Sequence, residues 1–562
     1  MHTIKNLTLN VGEQSNFGLI NILKNRMENI KFENINIKGQ NNIEINNIGI
    51  IANNIGDIKN VEFSNINIDL PLEKTRYVGC IGTSTGLEIS NVTIQNINIV
   101  GKSGVGGLLG YAEYYKVNDI VAKEVHINGI ENVAGIIGRA QPVNLSGGRL
   151  LKNIKITDST VNGKTHVGGI LGNIASYAAK NMNVDNCEIT GEKNVGGYAG
   201  TGDHGETKTN IHVKNSTIKG INSVGGILGS GGNLTESSVI DSKIEGITTN
   251  STDIGGILGG QNGSLQGSSV KNSDIISKGI KVGALVGRAS YMVGNFAYNN
   301  TVEGYSYVGG IAGALVYSSI EYNYSNSKVK ATEHSAGGIL GFLDNKLMDN
   351  LTNQSNIGNN YFVGKDITSK ANVGGIIGEI AKELYIEDRN HYYSNYVATN
   401  LISEDSNTVS LGIGNMSKEN KKLANTYYYK YSTINGAYPN EDNEPYIVSE
   451  NYLVEQDLKQ EDTYKKKLKW PNNYYDYATL EQSKYPLIKY GNKIVEGQEG
   501  IDIPIDPILN EQVNIDDDIN SDKDDDENFI SEESKGNDLQ DLSQEINEKP
   551  QYIFYYNGKT IK

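Results

Sequence analysis

The chain has 562 residues, a formal net charge of −16 at pH 7, 65 glycines, 34 tyrosines and two cysteines. This negative charge argues against a nucleic-acid partner, because phosphate backbones are bound mainly through Lys and Arg. No apolar run approaches the roughly 20 residues of a membrane-spanning helix, which predicts a protein without a membrane span.

The first 47 residues are expected to form entry coils of a repeat structure. Phe32 to Ile37 (FENINI) alternates an apolar with a polar residue. This period of two places the apolar side chains on one face of a β-strand. The repeat motif itself is still weak here, so residues 1–47 are separated from the regular repeats that follow.

A glycine-rich hexapeptide recurs about eleven times in residues 48–380. It is complete as VGGILG at Val224–Gly229, and an alternating run such as Asn91–Val100 (NVTIQNINIV) precedes each copy. A repeat of 20 to 50 residues is typical of a solenoid. From residue 105 onward, copies begin 26 to 37 residues apart, at Val105, Val133, Val167, Val195, Val224, Ile254, Val282, Val308, Ala336 and Val373.

One such repeat cannot bury its apolar face alone, but stacked repeats can pair equivalent strands and share one interior. The sequence therefore predicts an all-β fold, a right-handed parallel β-helix with repeats of about 28 residues. The glycines are expected either to adopt a positive φ or to allow close approach of neighbouring backbone segments. A phosphate-binding loop is the weaker interpretation, because that motif occurs once and opens a helix.

The two cysteines, Cys80 and Cys187, fall in coils that are four repeats apart. At about 4.8 Å per coil they are separated by roughly 19 Å. A disulfide needs Cα atoms within about 7 Å. Both residues are therefore predicted to be free thiols packed as small apolar side chains.

Residues 381–490 are rich in tyrosine and contain the single tryptophan, Trp470. The exposed end of a solenoid needs a cap over its unpaired strands, and amphipathic aromatic residues suit a partly wet surface. We interpret this region as an aromatic C-terminal cap. A surface that binds a carbohydrate or an aromatic ligand is the alternative.

Residues 491–550 lose the apolar periodicity and include the acidic run Asp516–Asn528 (DDDINSDKDDDEN). This composition predicts a disordered linker. The run lacks the glycine and closing glutamate of an EF-hand loop, so calcium binding is not favoured. Residues 551–562 contain Asn557-Gly558 between two strand-like runs, which predicts a hairpin that begins a further domain.

The hexapeptides resemble the GLUG motif of bacterial surface proteins. The wider pattern resembles the non-catalytic N-terminal region of Gram-positive zinc metalloproteases related to immunoglobulin A protease. Tyr485–Lys489 (YPLIK), followed by Gln498–Ile501 (QEGI) and Pro504, is similar to the segment that closes the repeats in that family. The resemblance covers roughly residues 20 to 505 and implies a β-helix that accompanies a separate catalytic domain.

The family's catalytic motif, H-E-x-x-H, is absent from the sequence. That motif places two zinc-binding histidines and a catalytic glutamate on one helix. An LPxTG anchor is also absent, and we predict no catalytic, cofactor-binding or metal-binding residue. The seven histidines are His2, His126, His166, His204, His212, His334 and His391, and Asp203-His204-Gly205-Glu206 is the nearest approach to a cluster.

The resemblance implies a secreted or cell-wall protein whose β-helix is a spacer or a substrate-binding arm. Zinc would then belong to a catalytic domain outside this chain, an extracellular or host protein would be the partner, and the chain would be a monomer. MHTIKNLTLN at the start lacks the features of a signal peptide, which favours an internal start or a fragment, or a cytoplasmic protein. A stand-alone GLUG adhesin for a host protein or glycan is the second interpretation, and a β-helix polysaccharide lyase or hydrolase is the third.

Overall fold

The computed structural model describes residues 1–498, 554–556 and 559–561, with short gaps inside the first range. Two compact units are distinguished, Met1–Gln512 and Val513–Lys562. Most of the predicted acidic linker, from residue 499 onward, lies outside the described residues. The gaps are 13–15, 40–43, 87, 114–115, 142–149, 204, 261–262, 317, 345–354, 382–389, 416–424, 440–450, 484 and 496–497.

The first unit is a parallel β-solenoid, as the repeat predicts. One of its faces is a sheet of fourteen short parallel strands, one from each coil. Their register follows the repeat, since Leu109 pairs with Ile81 before it and Ile137 after it. These strands are Ile20–Leu23, Ile51–Asn54, Ile81–Ser84, Leu109–Ala112, Ile137–Ala140, Leu171–Ile174, Ala199–Thr201, Leu228–Ser230, Leu258–Gly260, Val286–Ala289, Ala312–Leu315, Leu340–Leu343, Ile377–Ile380 and Ile413–Asn415.

The rest of each coil belongs to a 39-stranded sheet that wraps around the other faces. One group of its strands forms the first half of the hexapeptide arch, and the other group forms the alternating runs. The arch strands are Arg76–Val78, Ser103–Gly106, Glu131–Ala134, Thr165–Gly168, Lys193–Gly196, Asn222–Gly225, Thr252–Gly255, Ile280–Gly283, Ala371–Gly374 and Val409–Ser410. The long early strands are His2–Asn10, Met27–Lys38, Ile58–Asp69, Glu88–Val100 and Lys116–Asn128.

From residue 150 onward the alternating run is divided by sharper corners. The divided strands are Leu150–Thr157, Thr160–Asn162, Ala178–Asp185, Glu188–Thr190, Thr207–Lys214, Thr217–Gly220, Asn233–Thr235, Ser238–Ile240, Lys243–Gly246, Ser264–Gln266, Ser269–Lys271, Asp274–Ser277, Tyr291–Val293, Phe296–Tyr298, Thr301–Gly309, Ser319–Glu321, Tyr324–Ser325, Lys328–Gly337, Ser355–Gly358, Tyr361–Ser369, Asn390–Ser403, Asn425–Tyr429, Thr433–Ile434 and Tyr452–Leu453.

Buried polar side chains hold these corners together from coil to coil. The side-chain oxygen of Asn360 accepts hydrogen bonds from the backbone and side-chain nitrogens of Asn323, both at 3.0 Å. Asn395 does the same for Asn360, at 3.0 and 3.1 Å. Because a buried polar group is costly when it lacks a partner, each asparagine is stabilised by the next coil.

The hexapeptide glycines allow close approach between backbone segments, whereas the positive φ occurs at other residues. A Cβ on Gly226 would lie 2.0 Å from the carbonyl oxygen of Gly256 in the next coil. A Cβ on Gly225 would lie 2.0 Å from the carbonyl oxygen of Leu228 across the arch. The left-handed conformation instead belongs to the residue before the hexapeptide, with φ of 55° at Asn132 and 56° at Ser223. Of the two roles expected for these glycines, close approach is the one observed.

The interior is one continuous aliphatic cluster that extends through the coils. Each buried Ile or Val contributes roughly 1.5–3 kcal/mol relative to exposure. Cys80 and Cys187 are free and buried within this cluster, as predicted from their spacing. Burial raises the pKa of the Cys80 thiol far above its ordinary value and that of Cys187 to about 12, so neither forms the reactive thiolate near neutral pH.

The coil pairing continues past residue 380. Ile377 pairs with Ile413, and Tyr428 pairs with Tyr452 in parallel register. The region 381–490 therefore divides into further coils and a closing segment. The helical segments among the described residues are three to five residues long, and none could cross a membrane. They are Ser406–Thr408, Glu455–Leu458, Thr463–Lys467 and Leu480–Ser483.

The second unit is described at two short strands, Phe554–Tyr556 and Lys559–Ile561. They pair antiparallel, with Tyr556 opposite Lys559. This pairing is the one that a hairpin at Asn557-Gly558 would have.

Candidate functional site

The closing segment, residues 454–495, is called the strap because it lies along the side of the solenoid. It contains three of the short helical segments and a three-stranded antiparallel sheet. The Gln498 side chain secures its end, since it accepts a hydrogen bond from the backbone N–H of Ile488 at 2.9 Å and donates to the Ile488 carbonyl at 2.8 Å. The sheet strands are Tyr475–Asp476, Leu487–Tyr490 and Lys493–Ile494.

The strap contacts successive coils along one corner of the solenoid. Trp470 Nε1 donates to the carbonyl oxygen of Ser394 at 2.7 Å. Far along the stack, the Tyr490 hydroxyl donates to Gln266 Oε1 at 2.9 Å. Between them, the Tyr475 hydroxyl donates to the Asn359 carbonyl. The predicted aromatic cap is therefore observed as a lateral cover. The corner residues beneath it have left-handed backbones, namely Glu236, Gly267, Gly294, Tyr322, Asn359 and Ser394.

A column of aromatic residues on the coils forms the floor beneath the strap. Burial raises the pKa of Tyr324 and Tyr361 well above the ordinary value, so both stay neutral and act as packing groups. In the earlier coils the same register position carries His212, Ser238 and Ser269. The aromatic positions of the column are Phe296, Tyr324, Tyr361, Tyr396 and Tyr427.

Tyrosines from both the strap and the coils meet around Glu321 at the edge of this cover. The Tyr322 and Tyr474 rings stack with centroids 4.0 Å apart and planes 9° from parallel. The Tyr393 ring lies across Gly358, where an added Cβ would collide with it, and its hydroxyl donates to Glu321 Oε1. We call this surface the tyrosine patch; its members are Tyr291, Tyr322, Tyr393, Tyr474, Tyr490 and Glu321.

The patch combines neutral aromatic rings with one carboxylate. Burial is the main cause that raises the pKa of Tyr291, Tyr322 and Tyr490. For Tyr393, burial and the hydrogen bond to Glu321 raise the pKa further. These phenols therefore remain protonated at neutral pH. Within the part of the chain that the structure describes, Glu321 has no Lys or Arg ion-pair partner.

The histidines singled out in the sequence are dispersed. His126 and His166 each bond a threonine of the next coil, at 2.8 Å to Thr160 and 2.6 Å to Thr201. His212 contacts Ser238 and Asn210, both at 2.7 Å. His204 and the side chain of His391 lie outside the described residues. The described residues contain no group of three His, Cys, Asp or Glu that could hold a metal ion.

Asp203, in the sequence cluster at 203–206, is half-buried and forms an ion pair with a buried lysine, Lys208. Lys208 points inward, in register with Ala179 and Leu234, and its side chain is fully buried. Its Nζ donates to Asp203 Oδ1 at 2.7 Å and to the carbonyls of Asp203 and Glu206 at 3.0 and 2.6 Å. Burial lowers the pKa of Lys208. Burial alone would raise the pKa of Asp203, but the hydrogen bond and charge of Lys208, together with hydrogen bonds from Ser176, outweigh it and lower that pKa.

Replacing Asp203 with Asn is expected to destabilise the chain by about 2 kcal/mol at pH 7, because a buried ammonium loses its charged partner. Lys208→Met is the matched variant and should cost less than about 1 kcal/mol, because its register neighbours are apolar. Denaturant unfolding measures both. Because the folded-state pKa of Asp203 is lowered, the pair's contribution is present above the ordinary pKa and is lost on acidification below it. A larger loss for Lys208→Met than for Asp203→Asn would contradict the pairing.

Comparisons with known proteins add little to this geometry. No family model matches the chain, and no curated protein matches it significantly. A crystal structure of a Bacteroides ovatus protein, provisionally named an immunoglobulin A1 protease, is similar over 69% of this chain and 87% of that one. The sequence identity is 15% and the TM-score is 0.24. A score this low supports neither a shared fold nor a shared activity, so the patch and the strap are interpreted from their own contacts.

Proposed function

We propose that this chain is a non-catalytic, rigid arm of a larger extracellular or cell-wall protein. The continuous coil-to-coil pairing from His2 to Leu453 carries this proposal. A stack whose strands pair on both sides resists bending at any one coil, because bending would break several hydrogen bonds together. Such an element suits a spacer or a substrate-binding arm.

The resemblance of the repeats to metalloproteases related to immunoglobulin A protease supplies the identity proposed for the larger protein. In this proposal the zinc ion and the catalytic residues belong to a domain outside residues 1–562. The arm would hold that domain away from a Gram-positive cell wall, or present a host or extracellular protein to it. The arm would act as a monomer, because its apolar core is enclosed within its own coils.

The rigidity can be tested by pulsed electron spin resonance between two labels in one register column. Asn98 and Lys328 are exposed and joined by an unbroken series of pairs through His126, Thr160, Glu188, Thr217, Lys243, Asp274 and Thr301. Eight coil steps of about 4.8 Å predict an axial separation of roughly 38 Å. The buried native thiols should remain unlabelled.

A single narrow distance distribution for the Asn98→Cys, Lys328→Cys variant is expected, together with no cleavage of a protein substrate when zinc is added. A broad distribution would mean that the repeats are hinged modules and would overturn the arm. Zinc-dependent cleavage by this chain would overturn its non-catalytic character.

A further inference from the structure

We propose that the tyrosine patch binds the cationic side chain of a lysine or arginine in a basic peptide segment of a partner protein. This inference rests on the proposed arm and specifies what the arm holds. It is carried by the arrangement of tyrosine rings around a carboxylate that has no cationic partner among the described residues.

Aromatic faces and a carboxylate together form a receptor for a cation. The faces attract a positive charge through the ring quadrupole, by about 0.5–2 kcal/mol for each contact. Glu321 supplies the opposite charge, and the hydroxyl of Tyr393 orients its carboxylate. Tyr291 leaves 42% of its surface exposed, so a ligand can reach the patch from solvent.

Two lysines of the strap, Lys489 and Lys493, have partners other than Glu321. Lys489 Nζ donates to the carbonyl oxygen of Asn472 at 3.1 Å. Lys493 Nζ lies 3.7 Å from Glu236. Neither of these two lysines neutralises Glu321, whose charge is therefore unpaired within the described part of the chain.

A cationic ligand also fits the patch better than a neutral sugar does. Sugar hydroxyls need several hydrogen-bonding groups around an aromatic face, because a buried hydroxyl without a partner is costly. Two phenol hydroxyls at the patch are already used, that of Tyr393 on Glu321 and that of Tyr490 on Gln266. The rings and the carboxylate therefore provide the recognition, and both suit a cation.

The patch is a composite of two chain segments. Tyr474 and Tyr490 belong to the strap, whereas Tyr291, Tyr322 and Glu321 belong to the coils. The Tyr490 ring packs against Gly267, and the carbonyl of Lys489 approaches Gly294. The site therefore exists when the strap is docked on the corner of the solenoid.

Titration calorimetry of the full chain with a short blocked polylysine peptide tests the proposal. We expect Tyr291→Ala and Glu321→Gln each to weaken binding by about tenfold. Tyr305→Ala removes a similarly exposed tyrosine outside the patch, and Glu303→Gln removes a carboxylate that pairs with Lys330 at 3.0 Å. Both controls should bind like the unchanged chain. Unchanged melting temperatures will show that the variants are folded.

Three results would overturn the proposal: absence of polylysine binding, equal weakening by Glu303→Gln and Glu321→Gln, or preferential binding of a neutral oligosaccharide at the patch. Equal weakening would mean that the peptide senses the general negative charge. A polyglutamate peptide of the same length should fail to bind. These results leave the arm itself intact, because its rigidity is measured separately by the label distance.

Discussion

Replacing Gly226 with alanine is expected to lower the free energy of unfolding by more than about 3 kcal/mol. The added Cβ would lie 2.0 Å from the Gly256 carbonyl oxygen and 2.9 Å from Val239 Cγ2. The nearest atom belongs to the backbone of the next coil, so no side-chain rotation can relieve the contact. Two coils must separate, which weakens the hydrogen bonds between them. Gly226→Val should cost still more.

Gly12 provides a matched control, because an added Cβ there meets no atom within 4 Å and its φ is not in the left-handed region. Gly12→Ala should change stability by less than about 0.5 kcal/mol. Denaturant unfolding of both variants measures the difference. Asn233→Ser is a poorer control, because the Asn233 side chain accepts hydrogen bonds from the backbone and hydroxyl of Ser264, both at 3.1 Å. Equal stability of the two glycine variants would refute the close approach.

The solenoid could be predicted because its signals are local and repeated. A period-two run such as Asn91–Val100 specifies a strand with one apolar face, and the recurrence of the hexapeptide specifies stacking. The role of the glycines could not be chosen from sequence, because glycine permits both a positive φ and a close contact. The structure assigns the positive φ to residues such as Asn132 and leaves Gly226 to the contact.

The inward position of Lys208 could not be predicted from strict alternation, because a residue with left-handed backbone shifts the alternation by one position. Ile211 and Val213 point inward, so a strict period of two would also turn residue 209 inward. Asn210 has a φ of 60°, which shifts the pattern by one residue and turns Lys208 inward. Left-handed asparagines recur at such corners, and Asn153 and Asn181 are further examples. The sequence signal that indicates this shift is an asparagine followed by an aliphatic residue at equivalent positions of consecutive repeats.

The strap and the tyrosine patch could not be located from sequence, because they depend on distant contacts. The Trp470 indole meets a carbonyl 76 residues away, and the Tyr490 hydroxyl meets a side chain 224 residues away. No local pattern specifies such pairs. One signal was present, namely the change from Ser269 to Phe296 and Tyr324 at equivalent positions of successive repeats. An outward position that becomes aromatic in consecutive coils indicates a surface that another segment covers.

Replacing Trp470 with alanine is expected to release the strap while leaving the coils folded. The indole is 1% exposed, stacks on Tyr475 with centroids 4.6 Å apart, and lies 5.4 Å from the rings of Tyr361 and Tyr464. Removing a buried tryptophan typically costs about 3–5 kcal/mol. This loss should raise the undocked population of the strap more than a hundredfold, at about 1.4 kcal/mol for each factor of ten.

The coils should tolerate this change, because their strands pair with one another and not with the strap. Limited proteolysis should therefore cut Trp470→Ala first within residues 454–495, while circular dichroism keeps the strand signal. Trp470→Phe keeps an aromatic ring and loses the hydrogen bond to Ser394, so it should cost about 1 kcal/mol and release much less. Tyr305→Ala serves as the exposed aromatic control.

The same release should abolish polylysine binding. Tyr474 and Tyr490 belong to the strap and would move away from Glu321 when the strap undocks. Binding and proteolysis are thus expected to change in parallel across Trp470→Ala, Trp470→Phe and Tyr305→Ala. If Trp470→Ala resists proteolysis like the unchanged chain, the lateral docking of the strap is wrong. If its strand signal collapses with the strap, the coils depend on the strap for folding, and the solenoid cannot be the independently stable element of this chain.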